Sequence, residues 1–267
     1  MKILFKNCTL ISMSDERPEC EYNMSVVTKD DKIFEVTDKE YDESSVDTVI
    51  DAHGMVLMPG FYNCHAHAGM SIFRETVDGL STQDWLSKRI WPAEEKMTSD
   101  DMLKANRLSY MEMVESGTCG CVDMYDFAES IQAALDLGIR LQTSRVCFGE
   151  FDNAERRKQQ KFLIDSELDP RITLNQNIHG LYTTSDDNIR EAVILAKENH
   201  LTLFMHFCEN EEERNTILNT RGLNTPAEYI KYNFSGVKNV LAHCVKLTDE
   251  DLDILRFTNT TICSCPI

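Results

Sequence analysis

Short apolar segments alternate with helical segments along most of this 267-residue chain, from residue 58 onward. Five of the apolar segments have the length and composition of strands: CGCVDMY, IRLQTSRVCF, RITLNQNIHG, LTLFMHF and NVLAHC. Strands that alternate with helices indicate βαβ units, in which successive strands run parallel and a helix crosses between them. The sequence therefore predicts an α/β fold built on a parallel sheet.

Capping sequences mark the starts of the helices. Thr98 and Asp101 form a capping-box pattern, as do Thr248 and Asp251, and Ser185 precedes a third helical segment. The helix predicted after Thr248 carries four acidic residues that we expect to face outward from the fold. They are Asp249, Glu250, Asp251 and Asp253.

Residues 1–57 follow another pattern, rich in β-branched and aromatic residues. ILFKNCTLI and MSVVTKDDKIFEVTD are predicted strands, with a hairpin turn at Lys29-Asp30-Asp31-Lys32. A short third strand, MVLMP, leads into Pro59-Gly60, where the strand–helix alternation begins. We therefore expect two domains, residues 1–57 and residues 58–267.

Charge and composition restrict the classes of partner. A net charge of −18 without a basic stripe argues against a nucleic-acid partner. No apolar run approaches the roughly 20 residues that span a bilayer, and the start of the chain lacks the pattern of a signal peptide. The ten cysteines show no disulfide framework, which favours reduced thiols and a cytoplasmic location.

Histidines recur at the ends of the predicted strands. His65 and His67 follow the first strand, His179 the fourth, His206 the fifth and His243 the sixth. In a TIM-type barrel the carboxyl ends of all strands face one mouth, where catalytic groups gather. The recurrence favours such a barrel, with these side chains at its mouth.

The spacing of these residues suits a hydrolytic metal centre. His65 and His67 are two apart on a strand, so both imidazoles can face one ion while Ala66 points away. His206 can add a ligand, and Glu209, three residues on, can reach the water that the ion activates. The alternatives are hydrogen-bonded core histidines and, for Glu209, an exposed acidic helix start.

His243 admits two functional interpretations. It either ligates the ion, or it orients the attacking water and polarises the leaving group. A hydrogen-bonded core histidine is the structural alternative. His53 lies in a turn and His200 at a helix end, and neither is assigned a role.

Several segments resemble the amidohydrolase superfamily, and within it the branch of 5-methylthioadenosine/S-adenosylhomocysteine deaminases. The H-x-H pair is typical of the superfamily, whereas residues 84–94 are similar to the branch signature W-L-x-x-x-I-W-P-A-E. The resemblance covers nearly the whole chain. Further matching segments are Ser116-Gly117-Thr118, Asp123-Met124-Tyr125, His206-x-x-Glu209 and Ala242-His243-Cys244. Ala66 and Cys119 stand where the branch usually has Thr and mark a divergent member.

The resemblance implies roles for the residues that match the family motifs. His65, His67 and His206 match metal ligands, with one divalent ion, Zn²⁺, as the expected cofactor. Glu209 matches the proton shuttle, and His243 matches the histidine that helps to activate water and stabilises the adduct.

It also implies a set of substrate contacts. Glu94 matches a residue that binds ribose hydroxyls, His179 one that contacts the purine, and Trp85 an aromatic that borders the base. Arg145 and Arg157 fall where arginines can meet the carboxylate of a homocysteine tail. From the residues alone, Arg145 could equally form a structural ion pair, and His179 could bond to the backbone.

The two tryptophans of the chain lie in one loop after the first barrel strand, a natural lid with a stacking face. For Trp91, next to Pro92, we favour packing of this loop onto the barrel.

The fold implied is a (β/α)8 TIM-type barrel of the metal-dependent hydrolases, with strands one to seven in residues 58–267. Residues 1–57 would form the N-terminal part of a composite β-sandwich. The family's aspartate ligand from strand eight falls beyond Ile267. We therefore expect a C-terminally truncated form that is inactive alone.

The expected activity is hydrolytic deamination of 5-methylthioadenosine, S-adenosylhomocysteine or adenosine, with the purine nucleoside as the partner. A homo-oligomer is left open, and neither nucleic acid nor membrane is expected. The alternatives are a guanine deaminase-like or chlorohydrolase-like amidohydrolase, or a non-catalytic metal-binding fragment.

Overall fold

A computed structural model describes residues 1–76, 79–125, 127–149 and 154–265. The chain divides into two compact units, Met1–Phe61 and Tyr62–Ile267. Within the ranges described, every helix is too short or too polar to cross a membrane.

The first unit contains a mixed sheet. Its strands are β1 (Lys2–Leu10), β2 (Glu21–Lys29), β3 (Lys32–Thr37), β4 (Thr48–Asp51) and β5 (Val56–Leu57). The strands are ordered β3-β2-β1-β4, with β5 also paired to β1. The predicted hairpin is confirmed, because β2 and β3 are antiparallel and Asp30 adopts the positive φ of 54° that tight hairpins require. The pattern did not predict β4, which pairs in parallel with β1.

The second unit alternates strands and helices, as the pattern predicted. Its strands are β6 (Phe61–Ala66), β7 (Thr118–Asp123), β8 (Arg140–Thr143), β9 (Val146–Cys147), β10 (Ile172–Leu174), β11 (Gln176–Gly180), β12 (Leu203–Phe207), β13 (Asn239–His243) and β14 (Thr260–Cys263). They form two runs, β6-β7-β8-β10 and β9-β11-β12-β13-β14. From β7 onward the pairings are parallel.

The helices of this unit cross between the strands. They are α1 (Thr82–Trp85), α2 (Trp91–Glu94), α3 (Ser99–Glu115), α4 (Phe127–Leu137), α5 (Ala154–Ile164), α6 (Asp186–Glu198), α7 (Glu211–Arg221), α8 (Ala227–Asn233) and α9 (Asp249–Leu255). A π-helical turn, Leu86–Ile90, joins α1 to α2. Helices α3 and α9 begin with the capping boxes predicted at Thr98 and Thr248, and the Ser185 side chain caps α6. The largest apolar core lies among α6, α7, α8 and strands β11 to β13.

Two predicted strands are each broken in the middle. IRLQTSRVCF forms β8 and β9, and RITLNQNIHG forms β10 and β11, so the prediction of single strands is wrong there. Side chains take over the backbone hydrogen bonds at the breaks: the Ser144 hydroxyl accepts from the Asn177 N–H at 2.8 Å. Buried Gln160 of α5 accepts from the Arg145 N–H at 3.1 Å and donates to the Asn175 carbonyl at 2.9 Å.

The expectation for the acidic residues of α9 is wrong at Asp251. Its carboxylate is fully buried and accepts from Arg214 at 2.7 Å, while the other three acidic side chains are exposed as expected. Asp251 also caps its own helix through Thr248 and accepts the Ala227 N–H at 3.2 Å. A buried carboxylate with several donors is stable because each lost water contact is replaced.

We expect Gln160→Met to lower the free energy of unfolding by about 2–6 kcal/mol, since it removes two hydrogen bonds from a buried site at about 1–3 kcal/mol each. Urea denaturation monitored by circular dichroism would measure the change. Lys158→Met, on the exposed side of the same helix, is the control and should stay within about 0.5 kcal/mol of the wild type. Equal stabilities of the two variants would show that the side-chain bridge is dispensable.

Candidate metal and substrate site

Four of the predicted histidines surround one point at the carboxyl ends of the strands. The ring centroid of His65 lies 4.9 Å from that of His67, 4.9 Å from that of His206 and 5.0 Å from that of His243. These side chains come from β6 and its end, β12 and β13, which are far apart in sequence. His179, at the end of β11, lies 5.0 Å from His206.

A buried carboxylate fixes the turn that follows His67. Asp123, at the end of β7, is fully buried and accepts the Ala68 N–H at 3.0 Å. It also accepts the hydroxyls of Tyr110 at 2.8 Å and Ser130 at 2.9 Å. Because the other donors come from α3 and α4, the turn is held by the helices behind the sheet.

The rings of His67 and His206 are oriented by backbone carbonyls. The distance from His67 Nδ1 to the Met124 oxygen is 3.2 Å, and that from His206 Nδ1 to the His179 oxygen is 2.6 Å. A carbonyl oxygen can only accept, so each Nδ1 carries the hydrogen and each neutral ring has its lone pair on Nε2. The two Nε2 atoms are 3.0 Å apart. Two lone pairs at this distance repel each other unless a cation lies between them.

Burial disfavours a proton in the place of that cation, because it disfavours the protonated form of both rings. It lowers the pKa of His67 to about 4 and that of His206 well below the ordinary value. A metal ion fits better, because nitrogen ligands on one tetrahedral Zn²⁺ lie about 3.3 Å apart. Ligating histidines also donate their other N–H to a carbonyl or carboxylate, as both rings do here.

The ring nitrogens of His65 also have the surroundings expected of a metal ligand. Both of its ring nitrogens are buried and lack a hydrogen-bond partner among the described residues. Burial, followed by the nearby His67 and His243, lowers the pKa of His65 to about 2. The ligand atoms of His65, His206 and His243 lie within 4.8 Å of one another. The geometry therefore suits one metal ion bound by His65 and His206, with His243 also close enough to serve as a ligand.

Glu209 and His243 face each other beside this cluster. His243 Nε2 lies 3.9 Å from Glu209 Oε2, and both side chains are partly buried. Burial lowers the pKa of His243, and the charge of Glu209 opposes that effect. A carboxylate and an imidazole in these positions can each form a hydrogen bond with one molecule bound beside them.

A cavity of about 510 Å³ opens over the histidines, within the range of small-molecule sites. Its lining includes eight of the ten predicted site residues: His67, Trp85, Glu94, Arg145, His179, His206, Glu209 and His243. His65 lies beneath His67, His206 and His243, in contact with all three rings.

Arg157 is the predicted residue that the structure places elsewhere. It pairs with Glu191 of α6 and lines a separate cavity of about 30 Å³, to which Arg145 also contributes. Of the two arginines, only Arg145 also lines the large cavity. The homocysteine role of these arginines stays a prediction.

Aromatic residues to which the sequence motifs gave no substrate role also line the large cavity. Trp91, which we expected to pack the loop, lines the cavity and meets the Phe148 ring at 6.1 Å, edge to face. Phe148 in turn meets the His179 ring at 5.0 Å. The Tyr125 hydroxyl donates to Glu94, while burial raises the pKa of Glu94. Phe148 directly follows β9, and Tyr125 lies two residues after β7 in the Asp123-Met124-Tyr125 segment, so their positions near strand ends could have marked both as lining residues.

Comparison with known proteins gives one family. A family model described as "Amidohydrolase family" matches residues 56–267. A 5-methylthioadenosine/S-adenosylhomocysteine deaminase of Thermoanaerobacter pseudethanolicus is 34% identical over 264 residues, which are 96% of this chain and 61% of that protein. A 5'-deoxyadenosine deaminase of Methanococcoides burtonii is 33% identical over 272 residues, 99% of this chain and 62% of that protein. The chain thus spans about three fifths of the length of these curated relatives.

Solved structures share the fold. An atrazine chlorohydrolase of Arthrobacter aurescens complexed with zinc superposes with a TM-score of 0.87 at 20% identity, over 99% of this chain and 65% of that one. An adenosine deaminase of Xanthomonas campestris with bound zinc gives 0.87 at 21% identity, over 99% and 62%. These similarities confirm the predicted fold class, a partial (β/α)8 barrel of the metal-dependent hydrolase type.

We expect the full-length protein to hold one divalent metal per chain. His65→Ala and His67→Ala should each abolish metal retention, because each removes a ligand from a site that also loses its orientation. Metal content by mass spectrometry after desalting would measure the loss. His53→Ala, in an exposed turn, is the control and should keep the metal. A His65→Ala/His67→Ala double variant with a full equivalent of metal would contradict the ligand assignment.

Proposed function

Since the chain belongs to the amidohydrolase family, we propose that this protein is a metal-dependent deaminase of adenosine-type nucleosides. Water replaces the exocyclic amino group of the purine, giving the inosine form and ammonia. The observation that carries the proposal is the 3.0 Å distance between His67 Nε2 and His206 Nε2, whose lone pairs face each other. Both histidines line a cavity that Glu209 and His243 also line. The substrates proposed are 5-methylthioadenosine, S-adenosylhomocysteine and adenosine; the name of one relative includes the first two, and that of the other includes 5'-deoxyadenosine.

His65, His67 and His206 would hold the metal, for which we propose Zn²⁺. The bound ion would act as a Lewis acid and bring the pKa of a water molecule near neutrality. The chain's own contribution is orientation. The Met124 and His179 carbonyls fix the rings of His67 and His206, so that few bond rotations are lost when the site fills.

Glu209 would move the protons. One of its carboxylate oxygens would take a proton from the attacking water and deliver it to a ring nitrogen of the purine. The second proton of that water would then pass to the departing amino group, so that ammonia leaves neutral. His243, 3.9 Å from Glu209, would hydrogen-bond to the new oxygen and stabilise its charge.

The walls of the cavity would select the nucleoside. Glu94 can accept hydrogen bonds from both ribose hydroxyls, and its hydrogen bond from Tyr125 holds the carboxylate in the cavity. Trp85 offers a face to the purine, and its Nε1 donates to Thr76 at 3.4 Å.

His179 is fixed by a 2.7 Å contact from its Nδ1 to the Thr183 hydroxyl, which leaves the rest of its ring for the base. Arg145, which lines both cavities, would meet the charged tail of S-adenosylhomocysteine.

Glu209→Gln should lower kcat by roughly 10²–10⁴-fold, the range for loss of a general acid–base group, because an amide cannot take up the proton. Metal content and KM should change little, since Glu209 neither ligates the metal nor binds the ribose. Steady-state kinetics of ammonia release would measure both constants. Glu211→Gln, two residues on and exposed, is the matched control. An unaltered kcat, or loss of the metal, would refute the shuttle role.

The substrate proposal predicts that adenosine and its 5'-thio derivatives are deaminated with higher kcat/KM than free adenine or guanine. The reason is Glu94, whose hydrogen bonds to the ribose are available only with nucleosides. Glu94→Gln should therefore reduce kcat/KM for adenosine much more than for adenine, as followed by ultraviolet absorbance. If guanine proves the best substrate of the wild type, the nucleoside assignment is wrong and the hydrolytic metal site stands.

A further inference from the structure

Glu213 is a buried carboxylate that the proposed reaction does not use. It lies in the first turn of α7, where it is 3% exposed, while its neighbours Glu211 and Glu212 are exposed. A buried acid is costly unless its oxygens are satisfied, so its contacts indicate what it holds in place.

Both oxygens of Glu213 accept backbone hydrogen bonds from the segment that carries the proton shuttle. Oε1 accepts the Cys208 N–H at 3.0 Å, and Oε2 accepts the Glu209 N–H at 2.8 Å. The two N–H groups converge because Cys208 has a positive φ of 51°, which turns successive amides toward one side. The Asn210 side chain accepts the Glu213 N–H at 2.9 Å and closes the loop onto the helix.

Arg214, the next residue of α7, contacts the loop that follows His243. Arg214 donates to the Lys246 carbonyl at 2.9 Å and to Asp251 at 2.7 Å. Lys246 follows His243 by three residues, and its own N–H bonds to the Cys208 carbonyl at 2.8 Å. Consecutive side chains of one helix turn thus hold the loops that present Glu209 and His243 at 3.9 Å.

We propose that Glu213 is a positioning residue that fixes Glu209, through its backbone, in the orientation needed for proton transfer. This inference rests on the proposed role of Glu209. A carboxylate suits the task because it accepts from two donors at once. A glutamine in its place could accept only one of the two hydrogen bonds through its single oxygen and would turn its NH₂ toward the other N–H. Glu209 would then sample orientations away from the substrate.

The test is Glu213→Gln in the full-length, metal-loaded protein. We expect kcat to fall by about 10- to 100-fold, the penalty for a catalytic group misplaced by about 1 Å, with KM and metal content within about twofold. Glu212→Gln, which makes the same change of charge one residue earlier on an exposed side chain, should leave kcat unchanged. A wild-type kcat for Glu213→Gln would overturn the proposal. Loss of metal, or a rise in KM with constant kcat, would assign Glu213 a general structural role instead and would also overturn it.

A double-mutant cycle separates a failure of this inference from a failure of the proposed function on which it rests. If Glu213 acts through Glu209, Glu213→Gln should cause no further fall in kcat in a Glu209→Gln background. Full additivity of the two losses would overturn the positioning role. A Glu209→Gln variant with normal kcat would instead overturn the proposed function.

Asn210→Ala provides a milder variant in case Glu213→Gln does not fold. It removes only the cap that holds the start of α7, so it should lower kcat in the same direction by less, with the metal retained. An unchanged kcat in this folded variant would count against the positioning role.

Discussion

The site depends on two imidazole lone pairs that are held toward each other. His67 and His206 each donate Nδ1–H to a backbone carbonyl, so their Nε2 atoms meet at 3.0 Å with no hydrogen between them. The arrangement is unfavourable without a cation, and burial disfavours protonation as the remedy. The fold therefore suits the site to metal binding. The free-energy cost of ordering the two rings is met during folding, and a bound cation removes the repulsion between their lone pairs.

The loops beyond the strand ends are held by buried carboxylates. Asp123 accepts the Ala68 N–H directly after His67, and Glu213 accepts the N–H groups of Cys208 and Glu209 after His206. Each carboxylate is buried, so water does not compete for these hydrogen bonds. Burial raises the pKa of Glu213 to about 7, and its two backbone donors act against that rise. Both buried acids thus hold the backbone beside a residue for which we propose a role in metal binding or proton transfer.

The sequence predicted the elements, and which side chains gather at the large cavity, better than the contacts that hold them there. The capping boxes at Thr98 and Thr248 and the strand-end histidines follow from local spacing, which the pattern records. The break between β8 and β9 does not, because Gln160 bridges it from a helix that follows in the chain. The burial of Asp251 likewise depends on Arg214, 37 residues earlier, and periodicity alone assigned it to the surface. Long-range contacts between side chains and backbone carry no periodic signal.

The residues proposed for proton transfer and metal binding lie in a different part of the chain from three of the residues that line the large cavity. The residues proposed to move protons and hold metal lie at strand ends or one turn beyond them, fixed by sheet pairing and buried carboxylates. Trp85, Trp91 and Glu94 instead lie on the irregular helix from α1 to α2, which includes a π-helical turn. Changes in this segment can reshape the cavity wall without moving the strands. The strand ends can therefore support one hydrolytic reaction while the segment over them adapts to different substrates, as loops on a barrel scaffold do.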